Sequence, residues 1–194
     1  WLDRLGQPGA EGLRADAARA KQAFNARFWN PRAGHLNDVV DGEDGGDDAT
    51  LRPNQVFALS LTHPVLDQGH WVAVVDTIHS RLLTPLGLRS LPVDHPGYQP
   101  TFRGDQRARD AAYHQGTVWG FLIGPFVDAW LRVYPDRRAE ARAFLEGFLP
   151  HLGEFGLGSI AEVFEAGPPH APRGCVSQAW SVAEWLRAWA KVLG

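Results

Sequence analysis

The sequence predicts an all-α fold, and three observations carry that expectation. Apolar residues recur at three- and four-residue steps through most of the chain. Strand signals are confined to one stretch, where a small β-hairpin is expected near 34–48. Two long loops rich in polar and aromatic side chains, 87–112 and 156–175, separate the helical stretches. Ordered loops of that length are where function concentrates.

The elements follow in order. Trp1-Leu2-Asp3-Arg4-Leu5 reads as the tail of a helix already under way. Leu13, Ala17, Ala20, Phe24 and Phe28 mark the next helix, which Asn30-Pro31 ends. Residues 34–40 form one arm of the hairpin, turning at the acidic, glycine-rich run 41–48. That run lacks the ligand spacing and terminal glutamate of a calcium loop and reads as a solvated turn. Pro53 suits the first turn of a short helix over 54–61. Val72, Val75, Ile78 and Leu82 form a stripe closed by Thr84-Pro85. Val118, Leu122, Pro125, Phe126, Ala129 and Val133 form another, stopped near Tyr134-Pro135. Ala141, Phe144, Leu145, Phe148 and Leu152 give the fourth, and Val176, Trp180, Ala183, Leu186 and Ala190 the last.

Composition narrows the function. At 194 residues the chain fits one ordinary domain, with no internal repeat, low-complexity segment or domain boundary. A formal charge of −3 gives no reason to expect a nucleic-acid partner. The single cysteine, Cys175, excludes a disulfide framework and a thiolate zinc site. No apolar run reaches membrane-spanning length and no leader precedes the fold, so a soluble, cytoplasmic protein with no membrane partner is expected. Trp1 opens a chain without any methionine, which suggests the C-terminal part of something longer. Of the eight tryptophans, Trp130, Trp185 and Trp189 sit inside helical patterns and read as packing residues.

The chemistry gathers in the loops. Gly158-Ser159-Ile160-Ala161-Glu162-Val163-Phe164 carries one carboxylate among apolar residues, and a proline-rich loop bearing His170 and Arg173 follows. A carboxylate on a stiff loop beside cationic and aromatic groups suits sugar hydrolysis. Ser159-x-x-Glu162 is also a capping-box spacing, but the prolines just downstream leave no long helix to cap. Arg52-Pro53-Asn54-Gln55, the stretch 87–91 and the run from Arg109-Asp110 to Trp119 add planar polar groups and aromatic faces, which is how sugars are bound. Arg109-Asp110 also fits a surface ion pair, and His114 a satisfied loop histidine. Trp119 is the best sugar platform.

Arg52-Pro53-Asn54-Gln55, the stretch 83–91, Tyr113-His114-Gln115-Gly116-Thr117-Val118-Trp119, and Pro168-Pro169-His170-x-Pro172-Arg173-Gly174-Cys175 with Gln178-Ala179-Trp180-Ser181 together resemble the C-terminal amylo-α-1,6-glucosidase domain of glycogen debranching enzymes. The resemblance covers nearly the whole chain, in order. It implies an (α/α)6 toroid of helical hairpins, with residues 1–194 as the C-terminal portion of that single domain. It also implies inverting hydrolysis, in which an acid protonates the glycosidic oxygen while a base activates water on the opposite face.

The family's base maps onto Glu162, with Glu165 as runner-up. Its acid, an aspartate in a Trp-Met-Asp-like motif, is expected upstream of this chain. Trp1-Leu2-Asp3 stands too close to the helix ending at Phe28 to supply it, so Asp3 is expected on a helix surface. Gly120 stands where the family usually has proline. By the same resemblance Tyr113, His114, Gln115 and Trp119 line the glucose subsite. Arg89, Arg109, Asp110, His170 and Arg173 bind hydroxyls or orient Glu162, and Arg52 and Asp48 are further candidates. No metal or organic cofactor is implied, because proton transfer needs only carboxylates. The implied partners are glycogen or a branched maltodextrin and the preceding part of the same enzyme. Two other readings remain open: a glucoamylase-like or trehalase-like toroid hydrolase, and an inactive fragment serving as a carbohydrate-binding or interaction unit.

Overall fold

A computed structural model describes residues 2 and 4–194. Trp1 and Asp3 lie outside the described residues, and so does the surface position expected for Asp3. Leu2 and residues 4–6 are turns and the first helix begins only at Ala10, so the described part of this stretch is not a helix tail.

The chain is mostly helical, not all-α. Its helices are α1 (Ala10–Phe28), α2 (Phe57–Ser60, preceded by a 3-10 turn at Pro53–Val56), α3 (Trp71–Arg81), α4 (Gln106–Ala112), α5 (Ile123–Val133), α6 (Arg138–Glu146) and α7 (Ala179–Leu193). α5 is the hub. It packs against α2, α3, α6 and α7, and Ile123, Phe126, Val127 and Trp130 are buried along it. Burying a side chain such as Phe126 is worth about 1.5–3 kcal/mol. Pro125 is tolerated because it lies in the first turn, where its missing N–H has no helical partner. By contrast α1 buries no residue. Asn25 ties it down, donating to the Val65 carbonyl at 2.9 Å and accepting from the Asp67 N–H at 2.8 Å. No helix among the described residues is long and apolar enough to cross a membrane.

The hairpin near 34–48 is built differently from the expectation. Strand β2 (His35–Leu36) pairs back to β1 (Trp29–Asn30), and the acidic turn is closed by a bridge between Val39 and Asp48 and by the Gly42 N–H donating to the Gly46 carbonyl at 2.8 Å. A second, five-stranded antiparallel sheet is the larger surprise. It runs β3 (Leu83–Thr84), β4 (Gly87–Arg89), β5 (Val118–Trp119), β6 (Val163–Phe164) and β7 (Pro172–Arg173), each paired with the next. Val118 and Trp119 therefore belong to a strand and not to the start of a helix, because their backbone is bonded on both sides by β4 and β6. Gly87, at φ +125°, makes the β3–β4 turn possible; a β-carbon there would lie 2.9 Å from the Gly120 Cα.

Three helix limits also move. α4 lies inside the stretch read as a loop, capped by Asp105, whose side chain accepts from the Ala108 N–H at 2.9 Å. α6 stops at Glu146, and Phe148 reaches the core from the turn that follows. α7 starts at Ala179, leaving Val176 in the loop.

Candidate active site

The sheet draws the separate sequence motifs together. Arg89 is on β4, Trp119 on β5, Arg173 on β7, and Glu162 immediately precedes β6. Glu162 is half-buried. Its Oε1 accepts from the Tyr113 hydroxyl, and its Oε2 accepts from the Cys175 N–H at 2.9 Å. Burial alone would raise the carboxyl, but those two hydrogen bonds, with a smaller contribution from the Cys175 side chain, hold it below the ordinary value. Burial and the neighbouring carboxylate push the Tyr113 hydroxyl well up, so it stays protonated and donates. A carboxylate has about four acceptor positions. The two hydrogen bonds in place leave room for a water.

Glu165 is a different kind of carboxylate. It is 4% exposed and clamped by Arg103, through Nε at 2.5 Å and Nη2 at 3.0 Å, and by Arg173, through Nε at 3.1 Å. The Arg103 hydrogen bond, with Arg173 behind it, outweighs burial and keeps it ionised. Two guanidinium groups occupy its oxygens, and the role of this residue is to hold the 165–173 loop closed. Ser159 caps nothing: its hydroxyl meets that of Ser177 at 2.5 Å, and a strand follows instead of a helix.

Beside Tyr113 lies a cavity of about 400 Å³ lined by Asp38, Arg52, Pro53, Asn54, Ser90, His114, Trp119, Phe121, Leu122 and Trp180. Trp119 forms its aromatic wall. The His114 ring stacks on it at 5.3 Å, Tyr113 packs at 4.8 Å, and Trp180 meets its edge at 6.1 Å. Burial, helped by Arg52, lowers the His114 pKa, so a neutral imidazole sits in that stack. Glu162 is not in the lining; Tyr113 connects it to the wall. Arg52 ties three segments together, donating to the Ser90 carbonyl at 3.0 Å, to the His114 carbonyl, and to the Gln115 side chain at 3.5 Å. It also lies 3.8 Å from Asp38, whose carboxyl is raised chiefly by burial, against the pull of Arg52.

Of the residues singled out in the sequence, Arg52, His114 and Trp119 line the cavity, and Tyr113 and Gln115 are bonded to it or to its neighbours. The others lie elsewhere. Arg89 donates to the Ala166 carbonyl at 3.1 Å, and buried His170 bonds the Glu165 carbonyl at 3.0 Å. Arg173 serves Glu165. Arg109 and Asp110 are exposed on α4, where Arg109 bonds the Gly104 carbonyl at 2.7 Å. Asp48 closes the acidic turn, accepting from the Thr50 N–H at 2.8 Å.

Asp38, Phe121 and Arg103 were missed. Asp38 is one acidic residue at the edge of an acidic run, and Arg103 has no periodic neighbour to mark it. Among the described residues no group of three or more His, Cys, Asp or Glu could hold a metal ion.

The family described as amylo-alpha-1,6-glucosidase matches residues 7–187. The glycogen debranching enzyme of Saccharomyces cerevisiae is 27% identical over 112 residues, covering 55% of this chain and 7% of that protein. The structure of a GH63 mannosylglycerate hydrolase from Thermus thermophilus, in complex with Tris and D-glycerate, superposes with a TM-score of 0.65 at 16% identity, over 98% of this chain and 41% of that one. Its complex with Tris alone gives 0.62 at 16% identity, over 90% and 37%. The chain thus spans a small part of its curated relative and about two-fifths of the hydrolase whose fold it shares. With the match running over nearly its whole length, the chain belongs to the amylo-alpha-1,6-glucosidase family of glycoside hydrolases.

Proposed function

We propose that this domain performs inverting hydrolysis of α-1,6-linked glucose at the branch stubs of glycogen or a branched maltodextrin, with Glu162 as general base. The observation that carries the reading is the Glu162 carboxylate itself. It is kept ionised by Tyr113 and the Cys175 N–H, has acceptor positions to spare, and is linked through Tyr113 to a cavity walled by Trp119 and His114. A bound water would give its proton to Glu162 and attack the anomeric carbon. An acid on the far side, about 6.5–9.5 Å away, would protonate the leaving oxygen. That acid is an aspartate from the preceding part of the polypeptide.

Residues 1–194 are, in this reading, the C-terminal portion of one (α/α)6 toroid. The support is on α7: Leu186 at 54% and Leu193 at 68% exposure form an outward apolar stripe with Ala183 and Ala190. A stripe of that kind is suited to pack on a preceding helix. Arg52 and Asp38 are placed to bind glucose hydroxyls in the cavity, with Trp119 under the ring.

The experiment is Glu162→Gln in the complete enzyme. Turnover is expected to vanish while affinity for a branched maltodextrin largely survives. Near-normal turnover would remove Glu162 as the base.

A further inference from the structure

We propose that Gly174 is a positioning residue for Glu162: the absence of a side chain there lets the carboxylate lie against the 174–175 peptide and take the Cys175 N–H. The inference rests on the reading of Glu162 as base and adds a residue that aims it. Val163 pairs with Arg173 in the β6–β7 ladder, so Gly174 falls opposite Glu162 as the strands diverge. The strand-like exchange continues one step further, with the Glu162 N–H donating to the Cys175 carbonyl at 3.0 Å. Gly174 is exposed, so core packing does not explain why it is glycine.

Two local facts do. Its φ is +69°, a left-handed value that turns the next N–H toward Oε2. A β-carbon at this position would overlap Glu162 Oε2 and stand 3.1 Å from both the Cβ and the Cδ of Glu162. The carboxylate has little freedom to yield, because Tyr113 holds its other oxygen. A methyl group at 174 therefore displaces the base, or breaks the Cys175 hydrogen bond.

Gly158, in the segment that leads into β6, supplies a matched control. Its φ is +70°, yet nothing lies within 4 Å of a β-carbon built there. Gly158→Ala thus adds the same backbone strain without touching Glu162.

The test compares Gly174→Ala, Gly174→Asn and Gly158→Ala in the complete enzyme, by glucose release from a branched maltodextrin and by thermal melting. Asparagine carries the same β-carbon but accepts left-handed φ more readily, so it is the variant to read if the alanine form does not fold. The Gly174 variants should lose about 10–100-fold in kcat with KM little changed, as a displaced catalytic group does. Gly158→Ala should keep kcat within about two-fold, with a melting shift like that of Gly174→Ala. A folded Gly174 variant with the kcat of Gly158→Ala, or one whose loss lies in KM, overturns the proposal. An active Glu162→Gln enzyme would defeat the base assignment itself. An inactive one, beside a normal Gly174 variant, defeats only the positioning role.

Discussion

Replacing Tyr113 by Phe removes one hydroxyl and keeps the ring in its packing against Phe102 at 5.6 Å, His114 at 4.9 Å and Trp119 at 4.8 Å. The aromatic wall should survive while Glu162 Oε1 loses its donor. A hydrogen bond to a charged group is worth about 1.5–3 kcal/mol net. That stabilisation already acts on the ionised ground state and weakens as the base takes its proton, so it does not convert into rate. What the hydroxyl gives to kcat is aim, and a misplaced catalytic group costs about tenfold or more. The expected loss is therefore roughly tenfold in kcat. The pH profile moves as well. Burial, the largest influence on Glu162, raises its carboxyl, and Tyr113 is the larger of the two hydrogen bonds that reverse it. Without that donor the base protonates at higher pH, so the acidic limb of kcat/KM shifts upward. The assay is glucose release across pH by the complete enzyme. An unchanged kcat together with an unchanged acidic limb would refute the role given to Tyr113.

Glu165→Gln should cost about 1–3 kcal/mol of stability at neutral pH, measured by urea denaturation, because two guanidinium groups lose their charged acceptor. Glu165 has a depressed folded pKa, so its contribution is full above about pH 4.3 and disappears as pH falls through the lower folded value. The gap between wild type and variant should therefore close on acidification; a gap that widens would contradict the clamp. The 194-residue polypeptide alone should release no glucose from branched maltodextrins, because the acid is assigned to the preceding part of the enzyme. Measurable release would sink that assignment.

The helices were legible where one face is buried. Val75, Ile78 and Leu82 are fully buried on or just after α3, as their spacing implied, whereas Val72, the first of that stripe, is 51% exposed. α7 shows the limit of that signal. Its only charged residues are Glu184, Arg187 and Lys191, and periodicity picked Trp180, Ala183, Leu186 and Ala190, yet Ala183, Leu186 and Ala190 face outward and Trp180 stacks on Phe121 at the cavity. Val182, Trp185, Ala188, Trp189 and Val192 pack inward instead. Spacing finds a stripe but cannot choose its partner.

The five-stranded sheet was not legible because four of its strands have two residues and one has three. An alternation of period two needs more residues than that to register. α4 was hidden because the only apolar residues in Gln106–Ala112 are alanines, too small to mark a face. The candidate base was visible as one carboxylate among apolar neighbours. What separates it from Glu165 is the pair of arginines, one of them 62 residues away, and no local pattern reports such a contact.

The most direct test of the central claim is the anomeric form of the first glucose released by the complete enzyme from a maltodextrin carrying a single α-1,6-linked glucose, followed by proton NMR before mutarotation. An activated water opposite the leaving oxygen predicts β-glucose as the first product, and that signal should vanish in Glu162→Gln. Initial α-glucose would contradict the account, because it would mean a covalent nucleophile where a base and a water are placed.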